Sequence, residues 1–312
     1  MRAVHVTNGE VNVGEVPDPS GDGVRVRVRS SGICGSDLHM MRVGFPVTSI
    51  LGHEVAGELQ DGTPVAVEPL GPCGHCEFCV TGDYNFCVAG PEMVYGVGRD
   101  GGMADEILVP ERCIVRLPAG VRAEDACLVE PLAVAVHGLR NVGVRAGHRV
   151  AIVGGGSIGL CALAVATESG AEATLIARHD AQRAAALRLG AQAEDGTYDI
   201  VIDAAGTTSA LEKAVELCRP GGTLLLLASY WDGVLTLPAF AVCSKEIRIV
   251  PSMTYRRFGI ARDIDIAAAL LGARPEIPEV LISHRMPLDA APEAFRIAGD
   301  RKSGAIKVVL EP

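Results

Sequence analysis

Aromatic residues are scarce in this 312-residue chain, which has one Trp, 5 Tyr and 6 Phe. A core must therefore be assembled mainly from Val, Leu, Ile and Ala, within a hydrophobic fraction of 48%. An excess of basic charge is also lacking: 28 Lys and Arg stand against 38 Asp and Glu, a formal net charge of −10. No basic stripe is left to hold nucleic acid or an anionic membrane surface, and neither is an expected partner. No apolar run approaches the roughly 18 to 20 residues that cross a bilayer. The N-terminus, MRAVHVTNGEVNVGEV, alternates as a strand does and has no signal-peptide apolar stretch. A cytoplasmic location is the expectation.

The length admits two domains, each with its own core. Residues 1–119 read as short strands such as VRVRVRS and TPVAVEPL, broken by Gly and Pro, which predicts an all-β, barrel-like body. From residue 120 the character changes. RVAIVGGG, SIGLCALAVATESG, ATLIAR, AQRAAALRLGA and YDIVIDAAG alternate strand and helix, the rhythm of a doubly wound parallel sheet. That domain is expected to run over 120–277, with residues 278–312 returning to the first body through IKVVL.

Ten cysteines are present, and four of them, Cys73, Cys76, Cys79 and Cys87, stand as C-x2-C-x2-C-x7-C in one Gly- and Pro-punctuated loop. Four thiolates this close can fill every position of a tetrahedral Zn²⁺ shell, which makes such a site structural. Two disulfides are the alternative, and a reducing compartment disfavours them. Five others (Cys113, Cys127, Cys161, Cys218, Cys243) lie in largely apolar stretches and read as buried thiols.

Gly154, Gly156 and Gly159 form G-x-G-x-x-G after the strand RVAIV and at the start of a helix, with Ser157 and Ile158 between the last two. In that context the pattern predicts a dinucleotide site, with the pyrophosphate at the helix N-terminus. At the end of the next strand an NAD enzyme places an acid for the ribose 2′-OH. Here Ala177, Arg178 and His179 stand instead. Arg178 has the charge and fork geometry for a 2′-phosphate, with His179 and Arg183 as helpers, so NADP(H) is predicted over NAD(H). Asp180 suits the cap of the following helix.

A catalytic zinc needs about three mixed ligands and an open position. Outside the cysteine loop the candidates are Cys34 in GICGSDLH, His53 and Glu54 in LGHEVAG, and Glu130 in EPLAVAVHGL. Together with DGGMADEILVP, VGGGSIGL, RPGG and KSGAIKVV, these segments resemble, over essentially the whole chain, the zinc-dependent medium-chain dehydrogenases/reductases of the polyol, sugar and threonine dehydrogenase branch. The resemblance implies an α/β protein in which a GroES-like β-barrel catalytic domain carries an inserted Rossmann domain, with the active site in the cleft between them. It implies two zinc ions per chain and a homodimer or homotetramer. Cys34 and His53 would be catalytic zinc ligands, with Glu130 or Glu54 as the third. Asp37 would orient His53, and Ser36 would pass the alcohol proton towards His39. The implied reaction is hydride transfer between NAD(P)(H) and a secondary alcohol or ketone, most naturally a polyol, sugar or amino alcohol.

The chain is short for that family, and AGELQDGTPVAVEP is compressed before the cysteine loop. Two rival readings are a zinc-free quinone or enoyl reductase on the same fold and a non-catalytic nucleotide-binding redox sensor. Neither uses Cys34, His53 and the four cysteines together.

Overall fold

The computed structural model describes residues 1–7, 9–44, 50–231, 234–300 and 302–312. The strands β1 (Arg2–Thr7) and β2 (Glu10–Glu15) pair as an antiparallel ribbon. In β3 (Val24–Gly32) strict alternation turns Val26 and Val28 into the core. Arg27 and Arg29 point the other way, where both bond Glu58. Helix α1 (Gly35–Arg42) follows, then β4 (Glu54–Glu58) and β5 (Pro64–Val67). The compressed stretch is a tight antiparallel hairpin between these two strands, closed by Leu59 N–H to Thr63 O at 2.9 Å. The cysteine loop holds the short helix α2 (Glu77–Thr81), and β6 (Glu106–Val109) and β7 (Ile114–Arg116) complete this stretch.

The chain then enters α3 (Val129–Asn141), β8 (Arg149–Val153), α4 (Ser157–Glu168), β9 (Glu172–Ile176), α5 (Asp180–Arg188), β10 (Tyr198–Asp203), α6 (Thr208–Leu217) and β11 (Cys218–Leu226). After α7 (Ala239–Ser244) comes β12 (Arg248–Pro251). A small hairpin, β13 (Arg257–Phe258) and β14 (Ala261–Arg262), leads to α8 (Asp263–Ala273), α9 (Glu276–Leu281), β15 (Ile282–Pro287), α10 (Ala291–Gly299) and β16 (Lys307–Glu311).

These elements form two compact units. Unit 1 is Met1–Glu130 with Arg256–Pro312, and unit 2 is Pro131–Tyr255. The limits differ from the 119 and 277 expected from the sequence because residues 120–130 and 256–277 also fold with unit 1. Arg262 there bonds Glu68 at 2.8 Å and the Arg112 carbonyl at 2.7 Å. Gly272 lies so close to Pro118 that an added Cβ would stand 3.0 Å from it.

Unit 1 is built on a seven-stranded sheet ordered β15-β16-β3-β4-β5-β7, with β6 paired to β3. The C-terminal β16 pairs antiparallel with β3, the return expected of IKVVL. Val26, Val28, Val55, Val65, Val67, Ile107 and Val109 fill one core cluster, as the shortage of aromatics requires. Unit 2 is a five-stranded parallel sheet ordered β12-β11-β10-β8-β9. Its helix α4 buries eight consecutive residues, Gly159–Ala166, most of them small, which lets it sit close to the sheet. No helix among the described residues is long and apolar enough to cross a membrane.

Candidate active site, metal centres and cofactor loop

Unit 1 gathers two separate groups of metal-ligating atoms. In the first, ligand atoms of Cys34, His53 and Glu54 all lie within 4.8 Å of one another. Cys34 is the N-cap of α1, and His53 directly precedes β4, which begins at Glu54. Asp37, fully buried, does two jobs. Its Oδ2 accepts the Cys34 N–H at 3.0 Å, fixing the helix start, while its Oδ1 faces His53 Nδ1 at 3.4 Å. The other imidazole nitrogen, Nε2, is 3.4 Å from Ser36 Oγ. Burial works against a charged imidazole, but Asp37 and the Cys34 sulfur outweigh it and hold the His53 pKa well above its usual 6.5. Thiolate, imidazole and carboxylate brought together in this way suit Zn²⁺.

Glu130 is buried at the start of α3 but does not join this group among the described residues. Glu54 does, and it has a partner that sequence reasoning did not single out. Lys307 Nζ lies 2.6 Å from each Glu54 oxygen and 3.1 Å from the Ile33 carbonyl, with both side chains almost fully buried. The one signal was a lysine inside the apolar run IKVVL. Ser36 and His39 stand three residues apart on α1, and His39 Nδ1 meets Arg42 at 2.7 Å.

The second group is Cys73, Cys76, Cys79 and Cys87. Sγ of Cys79 is 3.8 Å from that of Cys73 and 3.4 Å from that of Cys76. A tetrahedron of thiolates at ~2.3 Å from zinc has edges of about 3.8 Å, so the loop fits the ion. These sulfurs are too far apart for a disulfide, none of the ten cysteines is in one, and Cys243 is exposed rather than buried as expected. Backbone N–H groups of Val88 and Cys79 lower the Cys76 pKa to about 6, which favours the thiolate. His75 is turned to the Cys73 carbonyl at 3.0 Å and is outside the group.

In unit 2 each glycine of the cofactor loop has its own reason. Gly154 directly follows β8 at φ +119°, and a Cβ there would stand 2.9 Å from Ala205 N. A Cβ on Gly159 would stand 1.8 Å from the Gly154 carbonyl, so only glycine lets the helix approach. A Cβ on Gly156, the N-cap of α4, would meet nothing within 4 Å. The protein itself does not require that glycine, whereas a phosphate approaching the backbone would. Ser157 Oγ, beside Ile158 in the first turn, is buried with no hydrogen-bond partner among the described residues and suits an acceptor-rich ligand.

Beyond β9, Arg178 is exposed and its Nη2 bonds Ser209 Oγ at 2.7 Å. His179 occupies the N-cap of α5, so Asp180 is not the cap expected from the sequence but the first helical residue. Asp180 pairs with Arg183, whose other nitrogen bonds the Ala177 carbonyl at 2.8 Å. The charge of Arg183 is thus already partnered by Asp180.

A mixed metal-ligand group on a β-barrel unit, with a dinucleotide loop on a parallel-sheet unit, defines a pyridine-nucleotide oxidoreductase. Comparison with known proteins narrows this. The alcohol dehydrogenase GroES-like domain family matches residues 20–119. The chain is 32% identical to galactitol 1-phosphate 5-dehydrogenase of Escherichia coli K12, over 99% of each chain. It is 29% identical to sorbitol dehydrogenase of Macaca fascicularis, over 95% of this chain and 90% of that one. A protein from Sinorhizobium meliloti 1021, solved bound to NADP, superposes with a TM-score of 0.86 at 29% identity, covering 100% of this chain and 99% of its own. The chain belongs to the zinc-dependent medium-chain dehydrogenases/reductases, in the branch of the polyol dehydrogenases.

Proposed function

We propose that this enzyme interconverts a secondary alcohol and its ketone on a polyol, sugar or amino alcohol, with NADP(H) preferred over NAD(H). The observation that carries the reading is the convergence of Cys34, His53 and Glu54 ligand atoms within 4.8 Å, separate from a complete four-cysteine shell. Cys34 and His53 would hold the catalytic zinc with Glu54 as third ligand, and Glu130 stands as the alternative carboxylate. When bound, the zinc supplies Lewis acidity that lets an alcohol lose its proton near neutral pH. A bound nicotinamide would supply the hydride acceptor, and the glycine loop of unit 2 would hold its dinucleotide. Asp37 holds the His53 ring in the tautomer that leaves its far nitrogen free for the ion. Ser36 Oγ accepts the alcohol proton and hands it towards His39 on the same face of α1.

Arg178 and Ser209 support the cofactor choice, since a guanidinium and a hydroxyl 2.7 Å apart are both donors for a 2′-phosphate. His179 and Arg183 line the same turn. The zinc-free reductase and redox-sensor readings leave both metal-ligand groups without a use. A cytoplasmic homo-oligomer is the accompanying reading. The outer edge of β12 has no strand partner among the described residues, and Phe240 and Met253 are exposed in the same unit.

The decisive experiment couples metal analysis to turnover. The full chain should hold about two zinc ions, and Cys34→Ala should lose one of them together with activity on polyols. Full activity and full zinc content in Cys34→Ala would sink the reading. Ser36→Ala should keep both metals and turn over more slowly. Removing Arg178 should lower kcat/KM for NADPH by roughly tenfold or more and leave that for NADH nearly unchanged.

A further inference from the structure

Asp203 ends β10 fully buried, and no salt bridge reaches it among the described residues. A carboxylate without a counter-charge is a costly way to end a strand. What it collects is three donors. Its Oδ1 accepts the N–H groups of Ala205 at 2.9 Å and Gly206 at 3.3 Å, and its Oδ2 accepts the Tyr230 hydroxyl. Its backbone carbonyl takes two more, from Leu227 at 2.9 Å and Ala228 at 3.0 Å just beyond β11. The side chain therefore locks the turn Ala204–Gly206 and ties it to the segment that carries Tyr230. Gly206 sits at φ +66°, a conformation that needs such support.

That turn has a neighbour of consequence. Ala204 N–H bonds the Val153 carbonyl at 2.9 Å, one residue before the glycine loop. A Cβ on Gly154 would lie 2.9 Å from Ala205 N and 3.0 Å from the Ala204 carbonyl carbon, and one on Gly159 would lie 3.5 Å from Ala204 Cβ. The sheet order explains why. From β8 the chain moves outward to β9, then returns to place β10 on the other side of β8. A parallel sheet receives its ligand outside the carboxyl ends of the strands where this reversal occurs. The glycine loop forms one lip of that crevice and the Asp203 turn forms the other.

We propose that Asp203 and Tyr230 are positioning residues for the dinucleotide: by fixing the Ala204–Gly206 turn they hold Gly154 and the start of α4 in the geometry that receives the pyrophosphate. The proposal rests on unit 2 being the cofactor unit, and the test separates the two. Cofactor binding is followed by NADPH and NADH fluorescence on the zinc-loaded full chain, beside kcat, cofactor KM and zinc content. Asp203→Ala should raise cofactor Kd and KM about tenfold, with kcat within about twofold and both zinc ions retained. Asp203→Asn should recover most of the loss, because its oxygen still accepts the two amides and its NH₂ can donate to the phenol oxygen. Tyr230→Phe, which removes one oxygen atom and risks the fold least, should raise Kd about threefold. An unchanged Kd in Tyr230→Phe, or Asp203→Asn as damaging as Asp203→Ala, overturns the proposal. A wild-type chain that binds neither NADPH nor NADH overturns the cofactor reading of unit 2 itself.

Discussion

Lys307→Met tests the buried pair beside the metal-ligand group most directly. Lys307 and Glu54 are 3% and 1% exposed, and Nζ stands 2.6 Å from both carboxylate oxygens. Burial alone would lower the lysine pKa, but Glu54 and the Cys34 sulfur reverse this and raise it, so the pair is ionic. Methionine keeps the apolar stem of Lys307 and removes the charge. The carboxylate is 1% exposed, so without Lys307 it has little water to turn to. Breaking one side of such a pair costs about 3–5 kcal/mol, a large part of the roughly 5–15 kcal/mol that holds a domain together. Lys307→Met should therefore lose about that much in urea unfolding of the chelated protein. Adding Glu54→Leu should restore most of it, since no charge is then stranded. With zinc present the carboxylate has a second cation to face, and the single variant should lose less. A loss below about 1 kcal/mol in the chelated state, or a double variant no better than the single, would refute the reasoning.

Three further outcomes follow from other parts of the molecule. Glu68 is buried against Arg262 and the Tyr84 hydroxyl, and burial pushes its pKa up to about 7 against their lowering pull. Between about pH 4.5 and 7 the folded chain then keeps a proton that the unfolded chain has released, so stability should fall as pH rises, by at most ~1.4 kcal/mol per pH unit. Glu68→Gln should flatten that slope in urea unfolding from pH 5 to 8, and parallel slopes would contradict the assignment. Gly159→Ala puts a methyl 1.8 Å from the Gly154 carbonyl, where only backbone can yield. It should cost about 1–3 kcal/mol and weaken dinucleotide binding, and a variant with wild-type Kd would show that α4 can shift freely. Cys79→Ser should lose about one zinc per chain and expose the loop 73–87 to proteolysis while Cys34, His53 and Glu54 keep theirs. Unchanged metal content would remove the structural role from these cysteines.

Local rules account for what could be read in the sequence. Sulfur spacing C-x2-C-x2-C-x7-C, the strand–glycine–helix order at Gly154, Gly156 and Gly159, and the alternation in VRVRVRS each act over a few residues. A ligand loop, a phosphate turn and a half-buried strand follow from such patterns without knowledge of distant partners. The acid missing between Glu172 and Asp180 was legible in the same way. The cap of α5 was not, because the last strand residues set where the helix begins and gave the position to His179.

Pairings between residues far apart in the chain needed the tertiary structure. Glu54 meets Lys307, Glu68 meets Arg262, and Asp203 meets Tyr230, across separations of up to 253 residues. Each is a polar group taken out of water, and burial obliges it to find a partner without saying which one. The division at Glu130 and Tyr255 is of the same kind, decided by where α8 and α9 could bury their apolar faces. The sequence by itself determined the family, the four-cysteine group and the glycine loop. Tertiary packing alone decided which carboxylate faces Cys34 and His53 and what holds the glycine loop in place, because a buried charge is fixed by the whole surrounding structure.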